Sequence, residues 1–278
     1  MGIGRGDSAL AYLTLAPAPA KVLEKSVRVI RALVRGDEVS FDELTDFQIP
    51  GLTHIDALAL GHGVTSAKLG WRNPSTAPPP IEVSASGPRT IAFASRESDG
   101  VLLAVGAAPD RLRWAIDVAR ANGAARISAH LNVAVHKDIE VATRLARALV
   151  APFARFSVMD GRVRAPFDDK DRQELVSLHG AYDMRGHASG AAAHASGLSA
   201  EFVRDFAVVG PPEECVHHIR EIADLGIERV IVVGPADREN REDVAHSLAL
   251  FNAEVLPHIT SPRTTGTVGG QQPFREPR

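Results

Sequence analysis

Residues 81–105, IEVSASGPRTIAFASRESDGVLLAV, decide the fold class of this chain. A strand-like run at 81–84 leads into Ser86-Gly87-Pro88, and Pro88 suits the first position of a helix because that position needs no amide hydrogen. A helix is predicted over 89–95, and a second strand-like run follows at 100–105. A strand, a helix and a strand in this order predict a βαβ unit with parallel strands.

The same alternation continues on both sides of this unit. Further helices are predicted over residues 18–34, 109–121, 138–156, 213–225 and 243–256. The main sheet has five predicted strands, which lie near Gly2, Ile81, Val101, at 127–135 and at 229–233. Because eight strands close a barrel of about 250 residues, either the sheet is open or the chain begins partway round a (β/α)8 barrel. The glycine-rich turn at 2–6 favours the second alternative, since such a turn normally follows a strand.

Three segments depart from the alternation. Residues 160–200 combine Gly, Ala, His and charged side chains with little periodicity, which predicts a partly helical insertion before the last strand. Within the stretch 40–80, residues 55–60 and 67–71 are predicted to form a small hairpin. The composition of 261–278 predicts a disordered tail. The expected organisation is one α/β domain over 1–260, followed by that tail.

Composition excludes several classes of function. The formal net charge of −3 and the pI near 6.4 provide no basic surface for nucleic acid. No apolar run approaches the roughly 20 residues that a membrane span needs, and the start lacks the pattern of a signal peptide. The single cysteine, Cys215, is predicted to be a plain buried residue. We therefore expect a soluble, cytoplasmic protein without a nucleic-acid or membrane partner.

Small residues mark the candidate ligand site. The loop GRGDS at 4–8 lets the backbone approach a ligand closely, and several amides in such a loop can converge on one anion. Ser86-Gly87-Pro88-Arg89-Thr90 stands between a strand and a helix, where helix amides and Arg89 can hold an anion. A further small-residue turn at Val105-Gly106 follows the next strand. Taken alone, the loop at 4–8 is equally consistent with a disordered start, and residues 86–90 are consistent with an ordinary βα turn that begins a helix with proline.

These segments together resemble a known family. GRGDSA at 4–9, VSASGPRT at 83–90 with SDGVL at 98–102, and FAVVGPPEEC at 206–215 are similar to the luciferase-like oxidoreductases, especially to F420-dependent methylenetetrahydromethanopterin reductases. The resemblance implies a (β/α)8 barrel, here without its first three βα units, and a homodimer. It also implies F420, or alternatively FMN, as the cofactor. Such enzymes of luciferase-like monooxygenase type transfer hydride between the cofactor and a small organic substrate.

The resemblance assigns the cofactor-binding residues by position but names no catalytic residue. The expected residues are Gly4, Arg5, Gly6, Asp7, Ser8, Ser84, Ala85, Ser86, Gly87, Pro88, Arg89, Thr90, Leu102, Leu103, Val105 and Gly106.

Two alternatives remain at this stage. One is a non-catalytic or incomplete barrel that needs a partner chain or an upstream segment. The other is a Schiff-base enzyme that uses Lys137 at the end of a predicted strand. No metal site is expected, because the histidines lack metal-ligand spacing. His179, His187 and His194 are predicted to have loop or solvent roles.

Overall fold

A computed structural model describes residues 1–43, 59, 63–237 and 240–260. Its strands are β1 (Gly2–Ile3), β2 (Val39–Ser40), β3 (Ser66–Ala67), β4 (Glu82–Ala85), β5 (Gly100–Leu103), β6 (Ile127–Val135), β7 (Val208–Gly210) and β8 (Arg229–Val233). Its helices are α1 (Ser8–Tyr12), α2 (Ala20–Arg35), α3 (Pro88–Glu97), α4 (Pro109–Ala121), α5 (Ile139–Arg155), α6 (Asp169–Ala181), α7 (Ala193–Ser196), α8 (Ala200–Phe206), α9 (Pro212–Asp224), α10 (Arg241–Leu250) and α11 (Leu256–Ile259). Short 3₁₀ turns occur at Phe156–Val158 and Met184–Gly186, and a π-helical turn at Phe251–Val255 joins α10 to α11.

The main sheet is parallel and has six strands. Five of them are the strands that the sequence predicts. They lie in the order β1, β4, β5, β6, β8, and the short β7 pairs with the last residues of β6. Within the described residues the sheet is open, because β1 and β8 are its two edges and do not pair with each other. A closed barrel is therefore not formed by this part of the chain.

Side-chain alternation along β6 places a helical layer on each face of the sheet. The odd-numbered residues of β6, 127–135, belong to a core shared with α2, α3, α4 and α9. Ala134, on the opposite face, packs in a second core with α5, α6 and α8. We call this opposite side the inner face of the sheet. Helix α5 runs back along it, since the rings of His130 and Phe153 lie 4.4 Å apart.

Local signals explain where six of the described helices begin. Pro88, Pro109 and Pro212 each occupy the first turn of a helix, as the missing amide hydrogen of proline allows. The side chains of Asp138, Asp168 and Ser199 accept hydrogen bonds from the first turns of α5, α6 and α8. Residues 160–200 contain α6, the 3₁₀ turn Met184–Gly186 and α7, and the two helices contribute to the second core rather than to the sheet.

The region 40–80 differs from the prediction where it is described. The strand around Ala67 covers only Ser66–Ala67, and it pairs antiparallel with Val39–Ser40. The predicted strand at 67–71 is therefore wrong beyond its first residue, and most of its proposed partner, 55–60, lies outside the described residues, as does the predicted tail 261–278. Among the helices described, none has the length and apolarity needed to cross a membrane.

Candidate functional site

The glycine loop at 4–8 lies directly against β4. Because β1 pairs in parallel with β4, a Cβ atom added to Gly4 would lie 3.8 Å from Cβ of Ser84. Gly6 has φ +75°, and a Cβ atom there would meet the Leu10 side chain at 2.8 Å, so the turn requires glycine. Arg5 fastens the loop, because its Nε donates to the Ala18 carbonyl at 2.6 Å. The guanidinium of Arg5 is thus engaged by the backbone.

Asp7 joins this loop to α5 on the inner face. Its carboxylate accepts a hydrogen bond from the guanidinium of Arg155, and both side chains are mostly buried. The guanidinium carbon of Arg155 also lies 4.4 Å from the centroid of the Tyr182 ring, within the range of a cation–π contact. The Nε atom of Arg155 is buried without a hydrogen-bond partner. Arg155 therefore connects Asp7 in the glycine loop to Tyr182 at the end of α6.

The turn between β4 and α3 faces the same side. The hydroxyl of Ser86 donates to the Phe156 carbonyl at 3.1 Å. Gly87 precedes α3 in an extended conformation, and no side chain caps the first amides of this helix. Arg89 is exposed, and Ser84 and Thr90 are partly buried. The start of α3 thus combines uncapped amides, a hydroxyl and a cation, a combination that suits an anionic group.

Four of the predicted site residues have little or no side chain available to a ligand. Ala85, Leu103 and Val105 are at most 3% exposed and pack in the core shared with α2, α3, α4 and α9, on the face of the sheet opposite the inner face. A Cβ atom at Gly106, which has φ +84°, would lie 3.0 Å from the Phe206 ring. For these four residues the prediction of cofactor binding therefore rests on the backbone, because the side chains of Ala85, Leu103 and Val105 lie in the core. Leu102 alternates to the inner face and is partly exposed.

Two polar residues that the sequence interpretation missed lie on the inner face of β6. Asn132 is 5% exposed, and its Nδ2 atom has no hydrogen-bond partner. Burial lowers the pKa of His130, which contacts Phe153 edge to face. The Phe153 ring contacts the ring of Phe156, whose carbonyl accepts the hydrogen bond from the Ser86 hydroxyl. The signal in the sequence was the alternation of His130 and Asn132 with apolar residues in ISAHLNVAV.

A buried orphan donor such as the Asn132 amide costs free energy, roughly 1–3 kcal/mol. Such a group is explained most simply when a ligand accepts its hydrogen bond. Asn132 pairs in register with Val233 at the end of β8, and His130 pairs with Ile231, which is 36% exposed. The inner face near the carboxyl ends of the strands therefore offers one free donor beside accessible apolar surface.

A histidine and tyrosine cluster borders Arg155. The Tyr182 hydroxyl and Nδ1 of His187 are 2.8 Å apart, and the rings of Tyr182 and His194 are 4.2 Å apart. Burial raises the pKa of Tyr182 to about 12 and lowers the pKa of both histidines. His194 is only 3% exposed, so its predicted loop or solvent role is wrong. The cluster is a packed wall beside the glycine loop.

The structure also bears on the predictions for Cys215 and Lys137. Cys215 is fully buried, and burial raises the pKa of its thiol to about 12, which confirms an inert core residue. Lys137 is exposed in a turn, whereas a Schiff-base lysine needs a desolvated or cationic environment. Among the described residues, no group of three or more His, Cys, Asp or Glu side chains is placed to hold a metal ion.

Comparisons with known proteins agree on a family. The model of the family described as luciferase-like monooxygenase matches residues 1–229. A 5,10-methylenetetrahydromethanopterin reductase of Archaeoglobus fulgidus is 24% identical over 276 residues, which cover 93% of this chain and 73% of the relative.

Solved structures show the same fold. The coenzyme F420-dependent tetrahydromethanopterin reductase from Methanopyrus kandleri superposes with a TM-score of 0.59 at 18% identity, covering 93% of this chain and 74% of that one. An F420-dependent secondary alcohol dehydrogenase in complex with an F420–acetone adduct also gives a TM-score of 0.59, at 17% identity, with 94% and 69% covered.

Proposed function

Because the chain belongs to the luciferase-like monooxygenase family of oxidoreductases, we propose that it uses F420 to transfer hydride to or from a small organic substrate. The similarity to the Archaeoglobus reductase and the fold shared with two F420-dependent enzymes support F420 as the cofactor. FMN is the alternative that the family resemblance leaves open. The observation that carries the proposal is the buried, unpartnered amide of Asn132 on the inner face.

The residues of the site fit a ligand with a planar ring and an anionic group. Gly4 leaves open backbone beside Ser84, where a side chain would otherwise stand. The uncapped start of α3, with Arg89 and Thr90, suits the anionic group. Asn132 offers a hydrogen bond to a ring oxygen or nitrogen. In this assignment Gly4, Ser84, Arg89 and Thr90 hold the cofactor together with Asn132.

When bound, the deazaflavin supplies the hydride chemistry, and the chain contributes binding, orientation and exclusion of water. Helix α5 and the 3₁₀ turn at Phe156–Val158 cover part of the inner face, where Phe153 and Phe156 present apolar rings. Burial beside Phe153 removes water from the His130 imidazole, which lowers its pKa and favours its neutral form. A neutral imidazole can accept or donate a proton, so His130 is the residue we assign to proton movement at the substrate.

Fluorescence titration of the purified chain with F420 and with FMN tests the proposal. We expect F420 to bind more tightly than FMN and Asn132→Leu to weaken F420 binding about tenfold, because one hydrogen bond is lost at nearly constant volume. Asn122→Leu, at the end of α4, is the matched control and should bind F420 normally. Tighter binding of FMN would overturn the cofactor assignment, and binding of neither would overturn the function.

One observation favours the alternative that this chain needs a partner to bind the cofactor. Within the described residues, β1 and β8 are edge strands that each pair on one side only. Tyr12, Leu13 and Leu15, next to the glycine loop, are 55–67% exposed. If this alternative holds, F420 binding should appear only above the concentration at which the chain associates. Titration at several protein concentrations, with light scattering on the same samples, distinguishes cofactor binding by the single chain from binding that needs a partner.

A further inference from the structure

A cavity of about 410 Å³ lies at the end of the sheet opposite the glycine loop. It is formed where β4, β5 and β6 begin, and it includes Ile81, Asp99 and Arg126, the residues that precede these three strands. Its volume falls within the roughly 300–1,000 Å³ of small-molecule sites. Because Ser86 and Asn132 lie toward the other ends of these strands, this cavity is separate from the proposed cofactor site.

Three arginines converge on this cavity. Arg31 and Arg35 are one turn apart on α2, so they share a helix face. Arg126 approaches from the start of β6, where its Nε donates to the Asp99 carbonyl at 3.2 Å. Within the described residues neither Arg35 nor Arg126 forms an ion pair, and Nε of Arg31 is buried without a partner. The two terminal nitrogens of Arg31 are engaged, since one donates to the Glu97 carbonyl at 2.9 Å and the other to the Asp99 carboxylate at 3.4 Å. The guanidinium donors available in the cavity are therefore those of Arg35 and Arg126.

The local carboxylates do not neutralise these cations. Asp99 lines the cavity, but one of its oxygens accepts from the Ile81 amide at 2.8 Å and the other from Arg31 at 3.4 Å. Glu97 is paired with Arg28 at 2.9 Å, outside the cavity lining. Three arginines against one aspartate leave a formal charge of +2. An anion entering the cavity would meet a favourable potential.

The rest of the cavity lining is largely apolar, which favours an anion that also has an apolar part. Val34 and the three prolines 78–80 form one wall, and proline has no amide hydrogen to donate. Inorganic phosphate would leave this wall without a partner, whereas an organic acid would cover it. A planar carboxylate also matches the paired donors of a guanidinium.

We propose that this arginine cavity binds a small organic carboxylate, with the carboxylate held by Arg35 and Arg126 beside the positive charge of Arg31 and its apolar body packed against Pro78–Pro80. The inference is independent of the function proposed above, because none of these residues contributes to the cofactor site. It assigns a second ligand site at the amino-terminal ends of the strands.

Isothermal titration calorimetry of the full chain with benzoate, benzamide and inorganic phosphate tests this proposal. Benzoate and benzamide share one shape and differ in charge, so we expect benzamide to bind at least about tenfold more weakly. Phosphate should also bind more weakly than benzoate, because it lacks an apolar body. Equal affinity of benzamide, affinity of phosphate matching that of benzoate, or absence of benzoate binding would each overturn the assignment.

Variants locate the site. Arg35→Gln combined with Arg126→Gln should weaken benzoate binding about tenfold or more, and both side chains are exposed enough for the fold to tolerate the change. Arg113→Gln, which removes an equally exposed charge paired with Asp110 elsewhere, is the matched control and should leave benzoate binding unchanged. An equal loss in the control, or no loss in the double variant, would contradict the proposal. Circular dichroism of each variant confirms that it is folded.

Discussion

At the scale of single residues, Arg155 is the side chain on which the glycine loop depends most. It neutralises Asp7 in a mostly buried pair and covers the ring of Tyr182. Arg155→Met would leave the Asp7 carboxylate without its counter-ion, and such a loss costs roughly 3–5 kcal/mol in a buried pair. We expect about 3 kcal/mol of lost unfolding free energy in urea denaturation at pH 7, together with weaker F420 binding.

The control for this variant is Arg204→Met. Arg204 forms a long, exposed ion pair with Glu140 at 3.4 Å, and such pairs contribute little to stability. Its unfolding curve should coincide with that of the unchanged chain. If Arg155→Met also unfolds at the same urea concentration, the loop is held by other contacts and the assigned role of Arg155 is wrong.

Asp171 gives a prediction in which the size of the stability change depends on pH. Burial, followed by the nearby charges of Asp168 and Asp205, raises its pKa to about 6. The unfolded chain therefore releases this proton more readily than the folded one, so stability is greatest below the unfolded pKa and is lost as pH rises through about 6. Asp171→Asn should stabilise the chain by about 1 kcal/mol at pH 7.5, a value reduced for solvent screening.

At pH 4 the benefit of Asp171→Asn should largely disappear, because the unchanged carboxyl is then protonated in the folded state. Asp169→Asn, at an exposed position of the same helix turn, is the control. Urea unfolding at both pH values provides the comparison. Equal stabilisation at both would show that the ionised form of Asp171 is not the cause.

At the scale of elements, the glycine after β5 fixes how the β5–α4 turn meets α8. Gly106 has φ +84°, and an added Cβ would stand 3.0 Å from both the ring and the carbonyl oxygen of Phe206. Gly106→Ala should therefore lower the unfolding free energy by about 2 kcal/mol, through backbone strain and overpacking. Gly87→Ala, where φ is −108° and no atom lies within 4 Å of the added Cβ, should change stability little in the same denaturation assay. Equal stability of both variants would contradict this account.

The bounds of helices and strands could be predicted almost to the residue where proline, glycine or β-branched residues mark the ends. The predicted bounds 109–121, 127–135 and 229–233 agree with α4, β6 and β8, because Pro109, Asn122-Gly123 and β-branched runs mark their ends. The pairing of β2 with β3 could not be predicted, since such short strands depend on long-range contacts.

The site was predictable only in part, for the same reason. The small-residue turns reveal where backbone approaches a ligand. Which strand residues turn toward the inner face depends on how the strands pack between two layers of helices. The sequence therefore does not show that the side chains of Leu103 and Val105 lie in the core, or that the Asn132 amide is buried without a partner. The α5 contact that buries His130 joins residues 23 positions apart and leaves no local pattern.

At the scale of the whole molecule, the open parallel sheet governs behaviour in solution. β1 and β8 lie at opposite edges of the sheet, and each leaves one side of its backbone unpaired, so another chain can add at either edge. At the β8 edge the side chain of Ile231 is 36% exposed. We expect the purified chain to self-associate, as measured by sedimentation velocity over a range of concentrations. Ile231→Lys should shift the population toward monomer, because a charge on the inner face of an edge strand opposes pairing and packing. Val176→Lys adds the same charge at an exposed position of α6 and should not change the distribution. A monomeric chain that unfolds cooperatively would show that the described sheet needs no partner, and F420 binding would then be a property of the single chain.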